Sequence, residues 1–228
     1  MESKQNKGLR TAAIVLMGLT AAMNILGGIG TVCAAFLTKN FPPMWVFFEY
    51  QLRYQILMIV TIIIGILCVW GTMGLVRGGK DVYRNAVILL VVGSIVAGYQ
   101  FSSSLDIRGK ATPANVKFFT NFITLVVFLI LKFPGVRERV DFSKPGGAID
   151  SATSGGLTAI VAGGVVLTTP IWVGASHIFE GQNWVDLLQT SLIVIGATLM
   201  LGGLARIFWV VLDSLRQRSK LALPEEKV

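Results

Sequence analysis

Charged residues are scarce in this chain. Only 14% of its 228 residues are Asp, Glu, Lys or Arg, while 54% are hydrophobic and the mean hydropathy is +0.70. A soluble domain usually has about 25% charged residues, so this composition excludes a soluble globule and a disordered tail. The two cysteines, Cys33 and Cys68, both fall in apolar runs and are too few for a disulfide scaffold. The composition is therefore that of an integral membrane protein.

Metal and cofactor ligands are also few. His177 is the single histidine, so one chain cannot supply the two axial histidines of a membrane b-type haem. The cysteines lack the spacing of a zinc site, and no GxSxG, HExxH or phosphate-loop motif occurs. We expect no metal, no cofactor and no catalytic residue, with one exception at the outer face. His177 and Glu180 would share one face of a helix, as a base and its orienting carboxylate.

Carboxylates are missing from the middle of the apolar segments, where ion-coupled transporters and proton pumps usually carry one. This argues against coupled transport but leaves a pore or a lipid carrier open. The net charge of +8 comes without basic runs interleaved with aromatics. We assign the basic excess to the flanks of membrane helices and expect no nucleic-acid partner.

Six segments have the roughly 20 apolar residues that a membrane-spanning helix needs. They are 11–37, 55–76, 86–104, 114–132, 157–176 and 187–212. The sequence therefore predicts an all-α integral membrane protein, a six-transmembrane-helix bundle. Of the 20 Lys and Arg residues, 14 fall on the side that holds both termini, five fall on the other side and Arg206 lies inside a helix. Because basic residues concentrate on the cytoplasmic side, both termini are predicted to be cytoplasmic.

The longest polar stretch, 133–156, divides the predicted bundle. It contains Pro134, Pro145 and paired glycines, which we expect to break any helix. We interpret it as a cytoplasmic Gly/Pro/Ser-rich linker that acts as a hinge, or else as a docking segment for a cytoplasmic partner. The predicted units are a four-helix block over 1–132 with a short cytoplasmic N-terminus, this linker, and a two-helix hairpin over 157–228 with a short basic tail.

Contacts with lipid or with a partner are predicted at residues that are charged, interfacial or spaced for helix packing. Arg206 either snorkels to the cytoplasmic headgroups or binds an anionic headgroup or a partner carboxylate. The aromatic segment 41–54 predicts interfacial anchoring before the second helix. A GxxxG spacing favours close helix contact. The candidates are Arg206, Trp45, Glu49, Arg53, Gly74 and Gly78.

Uncharged polar residues in or beside the predicted spans are the candidates for a pore lining. They are Asn24, Gln100, Asn121 and Gln189. Such groups either hydrogen-bond between helices or face a water-filled cavity. If they converge on a cavity, the chain is a small channel or carrier for a neutral solute or lipid.

The favoured interpretation is a non-catalytic accessory subunit of a larger membrane complex. The missing ligands, the missing mid-span carboxylates, the short loops and the dense small residues all point to it. Its expected partners are membrane lipids and other membrane subunits, or further copies of itself. Its expected location is a bacterial-type cell membrane, which it crosses several times.

Overall fold

The computed structural model describes residues 6–40, 42–174 and 177–221. Within them lie seven α-helices: α1 (Lys7–Phe36), α2 (Gln51–Arg77), α3 (Val82–Arg108), α4 (Ala114–Leu131), α5 (Pro134–Arg137), α6 (Ala148–Gly174) and α7 (Gln189–Leu221). Two 3₁₀ helices, Pro42–Tyr50 and Trp184–Leu188, lead into α2 and α7. Two short strands, β1 (Ile178–Phe179) and β2 (Gln182–Asn183), pair as an antiparallel hairpin.

Every described helix except the four-residue α5 is long and apolar enough to cross a membrane. The prediction of a helical chain with six such helices is therefore confirmed. Local signals set several of their ends. The side chain of Asn6 accepts a hydrogen bond from the backbone of Leu9 and caps the start of α1. Gly78 and Gly109, both at positive φ, end α2 and α3.

The helix α1 lies at the centre of the bundle, where it packs against α2, α4 and α6. The helix α3 packs against α2 and α4, and α7 packs mainly on α6. The bundle has two ends. One end, called the termini end below, includes Lys7 and the turn between α2 and α3. There Lys7 forms a salt bridge with Asp150 at 2.9 Å. The hairpin end holds β1 and β2.

The predicted linker 133–156 is shorter than expected. The helix α6 begins at Ala148, so residues 148–156 are helical. The expectation that paired glycines break the helix is wrong for Gly155 and Gly156, because Gly156 lies against α7, whereas Gly146 and Gly147 do precede the helix. A Cβ on Gly156 would be 2.8 Å from the carbonyl oxygen of Gly203, so this glycine allows close packing inside a continuous helix.

Residues 138–147, called the strap below, fold back over the termini end. The backbone N–H of Asn6 donates to the Arg139 carbonyl at 2.7 Å, and the N–H of Gly79 donates to the Phe142 carbonyl at 3.1 Å. Phe142 is buried and belongs to the apolar core formed by α1 to α4. The strap is therefore packed on this chain's own helices and is not a free linker.

Candidate functional site

A buried lysine lies between α1, α2, α3 and α4. Lys117, in the first turn of α4, is 1% exposed. Its ammonium donates hydrogen bonds to the hydroxyl of Thr61 on α2 at 3.1 Å and to the side-chain carbonyl of Gln100 on α3. Gly27 on α1 makes room, since a Cβ there would be 3.0 Å from Lys117 Cδ. Among the residues that the structure describes, this ammonium has neutral oxygen acceptors and no carboxylate partner.

Further polar pairs extend from Lys117 along the bundle, and together with Lys117 and Thr61 we call them the polar column. The pairs are Gln100 Nε2 with Thr31 Oγ1 at 2.9 Å, Asn24 Nδ2 with Asn121 Oδ1 at 3.1 Å, and Thr20 Oγ1 with Thr124 Oγ1 at 2.9 Å. On α4 the column follows one helix face, because Lys117, Asn121 and Thr124 are spaced by four and three residues. The column thus ties α4 to three neighbouring helices.

Three of the four predicted pore residues belong to the polar column. Asn24, Gln100 and Asn121 are all at most 5% exposed, and each is hydrogen-bonded to another side chain of the column. Gln189 is exposed at the first residue of α7 and lies outside the column. The first three converge in a set of side-chain hydrogen bonds, and Gln100 also lines a small cavity of about 30 Å³.

Sequence reasoning missed Lys117. Lys117 is one of the five basic residues that the charge count places on the side opposite the termini, because it lies near the start of the predicted span 114–132. A usable signal was present: Lys117, Asn121 and Thr124 share a helix face, and such polar faces turn inward in an apolar bundle. The same spacing occurs on α1 at Thr20 and Asn24.

A small cavity of about 30 Å³ lies beside the column at the hairpin end. Tyr54 and Ser104 line it with their hydroxyl oxygens 2.9 Å apart, and Arg108 and His177 also line it. Arg108 donates to the carbonyl of Thr112 at 3.0 Å, while its Nε is buried without a hydrogen-bond partner among the described residues. The cavity has room for about one water molecule, so it is not a path through the bundle.

The predicted pair of His177 and Glu180 does not lie on one helix. The helix α6 ends at Gly174, and Glu180 is exposed in the hairpin turn, where it and Gly181 have φ values of 50° and 77°. The ring Nδ1 of His177 lies 3.1 Å from the Val173 carbonyl oxygen, and burial lowers the pKa of His177. His177 and Glu180 therefore lack the shared helix face that the catalytic interpretation required.

Three predicted contact residues share a shallow groove at the hairpin end. Trp45, Glu49 and Arg53 are exposed and line it together with Asp106, and the groove has a volume of about 710 Å³. The guanidinium of Arg53 lies 5.1 Å from the ring centre of Tyr50. These residues remain candidates for interfacial contact.

The GxxxG glycines make contacts within the chain. A Cβ on Gly74 would be 3.3 Å from Val82 Cγ1 at the start of α3. A Cβ on Gly78 would overlap the backbone of Lys144 in the strap. The close approach at Gly78 is therefore between a helix end and the strap, which the GxxxG spacing did not predict.

Arg206 is exposed on α7 and lies over α6, with its Nε 3.5 Å from the position of a Cβ on Gly155. Arg206 and Arg77 both line a crevice between two pairs of helices, α1 with α2 and α6 with α7. No group of three or more His, Cys, Asp or Glu residues that could hold a metal ion occurs in the described ranges.

Comparison with known proteins gives no match to this chain: no family model, curated protein or solved structure is significantly similar to it.

Proposed function

We propose that this chain is a non-catalytic, multi-pass integral membrane protein that packs as an accessory subunit against partner chains in a larger membrane complex. Both termini lie in the cytoplasm of a bacterial-type cell. Six long apolar helices support membrane integration. The distribution of Lys and Arg, 14 against four once the buried Lys117 is left out of the five, supports the orientation. The exposure of α7 carries the subunit part of the proposal.

The helix α7 is the least enclosed of the six. In its most apolar window 11% of the residues are buried, against 33–56% in the other five. Its contacts in the chain are mainly with α6 and the 3₁₀ helix Trp184–Leu188. Large apolar side chains, among them Val194, Leu201 and Trp209, point away from the chain. The outer side of α7 is thus available to lipid or to another chain.

Small residues on this exposed side favour another chain over lipid. Thr198, Gly202 and Ala205 are all exposed, and a Cβ on Gly202 would meet nothing within 4 Å. A glycine inside a helix costs about 1 kcal/mol relative to alanine, and lipid requires no such gap. Small residues allow a second helix to approach closely, where no hydrophobic force drives association within the bilayer.

The proposal is tested by Gly202→Leu, with Gly164→Leu on α6 as the matched control. Both glycines lie inside long helices, and a Cβ on either would meet nothing within 4 Å, so both variants should fold. Each is purified from its native membrane in mild detergent, and the assembly is weighed by native mass spectrometry. We expect Gly202→Leu to lose the partner chains and Gly164→Leu to keep them. Equal retention by the two variants would contradict docking on α7.

A channel or carrier for a neutral solute is the second candidate. It is favoured by the meeting of Asn24, Gln100 and Asn121 in the polar column. Transport would require these hydrogen bonds to open, because they join the polar side chains to one another. With the protein reconstituted in the membrane of lipid vesicles, Gln100→Leu should then abolish uptake of a neutral solute such as glycerol. Gln189→Leu should leave this uptake unchanged. Unchanged uptake in Gln100→Leu would remove this candidate.

A further inference from the structure

An apolar crevice runs along the bundle between two pairs of helices, α1 with α2 and α6 with α7. Its volume of about 620 Å³ lies within the range of about 300–1,000 Å³ that is usual for ligand sites. Side chains such as Ile25, Val69, Ala162 and Ile195 line most of its length. Met73 of α2 and Ile195 of α7 both line the crevice and are exposed, so it opens between these two helices. A cleft of this shape has room for a flexible apolar chain.

Two arginines stand at one end of the crevice. Arg77 is the last residue of α2, and Arg206 lies over Gly155, the eighth residue of α6, so both belong to the termini end. The described residues that line the crevice include these two cations and no Asp or Glu. The crevice therefore combines an apolar length with one positively charged end.

We propose that the crevice binds one anionic phospholipid, with an acyl chain between α2 and α7 and the phosphate held by Arg77 and Arg206. Charge complementarity identifies the occupant. Arginine binds phosphate through paired N–H donors, and nothing in the lining repels a negative headgroup. An acyl chain in the crevice would make van der Waals contacts with the apolar lining, which the lining atoms would lack if the crevice were empty. With the termini in the cytoplasm, the lipid belongs to the cytoplasmic leaflet, which is rich in anionic lipid.

The proposal depends on membrane integration and not on a partner chain, so it stands or falls separately from docking on α7. A lipid held only by apolar contact would show no headgroup preference. A second protein helix seated in the crevice would exclude the lipid. Both are outcomes of the same experiment.

The experiment is native mass spectrometry of the purified full chain, equilibrated in detergent with equal amounts of phosphatidylglycerol and phosphatidylcholine that carry the same acyl chains. A basic residue near an anionic headgroup contributes about 1 kcal/mol, or about a fivefold preference. We expect the wild type, which has two such arginines, to retain phosphatidylglycerol over phosphatidylcholine by about 5- to 25-fold. The double variant Arg77→Gln/Arg206→Gln should retain the two lipids equally.

The control is Arg84→Gln, an exposed arginine at the same end of the bundle that does not line the crevice. It should keep the wild-type preference. Ile195→Trp, which fills the crevice, should reduce retention of both lipids. If the double variant fails to fold by circular dichroism, Arg206→Gln alone should lose about fivefold in preference.

Four results would overturn the proposal. They are equal retention of the two lipids by the wild type, a loss of preference in Arg84→Gln as large as in the double variant, unchanged lipid retention in Ile195→Trp, and a stoichiometric protein chain retained in place of lipid.

Discussion

Lys117 shows how a charged side chain can be held inside an apolar bundle. Removing an ammonium from water costs several kcal/mol even after the protein relaxes. Here the cost is offset by two neutral oxygen acceptors, on Thr61 and Gln100, which are themselves almost fully buried. The stability of the fold should therefore be more sensitive to loss of an acceptor than to loss of the lysine.

This dependence predicts an asymmetric pair of variants. Gln100→Leu leaves the Lys117 ammonium with one acceptor, and it should lower the free energy of unfolding by about 3 kcal/mol, the upper end for an unsatisfied buried group. The double variant Gln100→Leu/Lys117→Met removes the ammonium as well and should regain most of that loss. Unfolding in mixed detergent micelles measures both. A double variant no more stable than Gln100→Leu would show that the ammonium is not what makes Gln100 important.

Gly78 carries two constraints that can be separated. Its φ of 77° disfavours any side chain, and a Cβ would also overlap the strap backbone at Lys144. Gly109 has a similar φ of 66° and nothing within 4 Å of a Cβ. Gly109→Ala should therefore cost only the left-handed penalty, about 1–2 kcal/mol. Gly78→Ala should cost about 1–3 kcal/mol more, because the strap must move. The backbone adds to this cost, since Gly78 has a ψ of 158°, in a region almost restricted to glycine, whereas Gly109 has a ψ of 2° in the ordinary left-handed region.

The Gly78 comparison is read by thermal unfolding and by limited trypsin digestion after Arg139, an exposed strap residue that Val140 follows. Faster cleavage after Arg139 in Gly78→Ala than in Gly109→Ala is the expected sign of a displaced strap. Equal stability and equal cleavage in the two variants would mean that the strap does not press on Gly78.

Among the elements, the six helices could be predicted because each has a long apolar run. Their ends could not, because contacts distant in sequence set them. Residues 148–156 look like a polar, glycine-rich loop, yet they are helical because Gly156 receives the backbone of α7. The strap looks like a linker, but Phe142 and Val140 bury their side chains in the core. The number of glycines and prolines in a segment does not show whether they end a helix or allow another segment to pack closely against it.

The contact between α6 and α7 predicts different outcomes for two adjacent glycines. A Cβ on Gly163 would be 2.6 Å from the carbonyl oxygen of Gly196, whereas a Cβ on Gly164 would meet nothing within 4 Å. Gly163→Ala should separate the helices and cost about 1–3 kcal/mol. Gly164→Ala should be neutral or slightly stabilising, since alanine favours a helix. The difference in melting temperature in detergent measures this, and equal melting temperatures would contradict the close crossing.

Across the whole molecule, polar and small side chains mark the interior better than apolar ones do. On α2, Thr61 is fully buried while Ile63 and Ile66 are 50% and 57% exposed. In lipid an apolar side chain gains little by turning inward, so hydrophobicity does not identify the core. This is why the six helices followed from the sequence, while the central place of α1 and the position of Lys117 did not.

The central claim is that the chain works as part of a larger assembly. Native mass spectrometry of the wild-type chain, extracted in mild detergent from the membrane of its own cell, tests it most directly. We predict a stoichiometric assembly that contains at least one different protein chain beside the 24.6 kDa chain. A monomer, or a closed assembly of copies of this chain alone, would contradict the account.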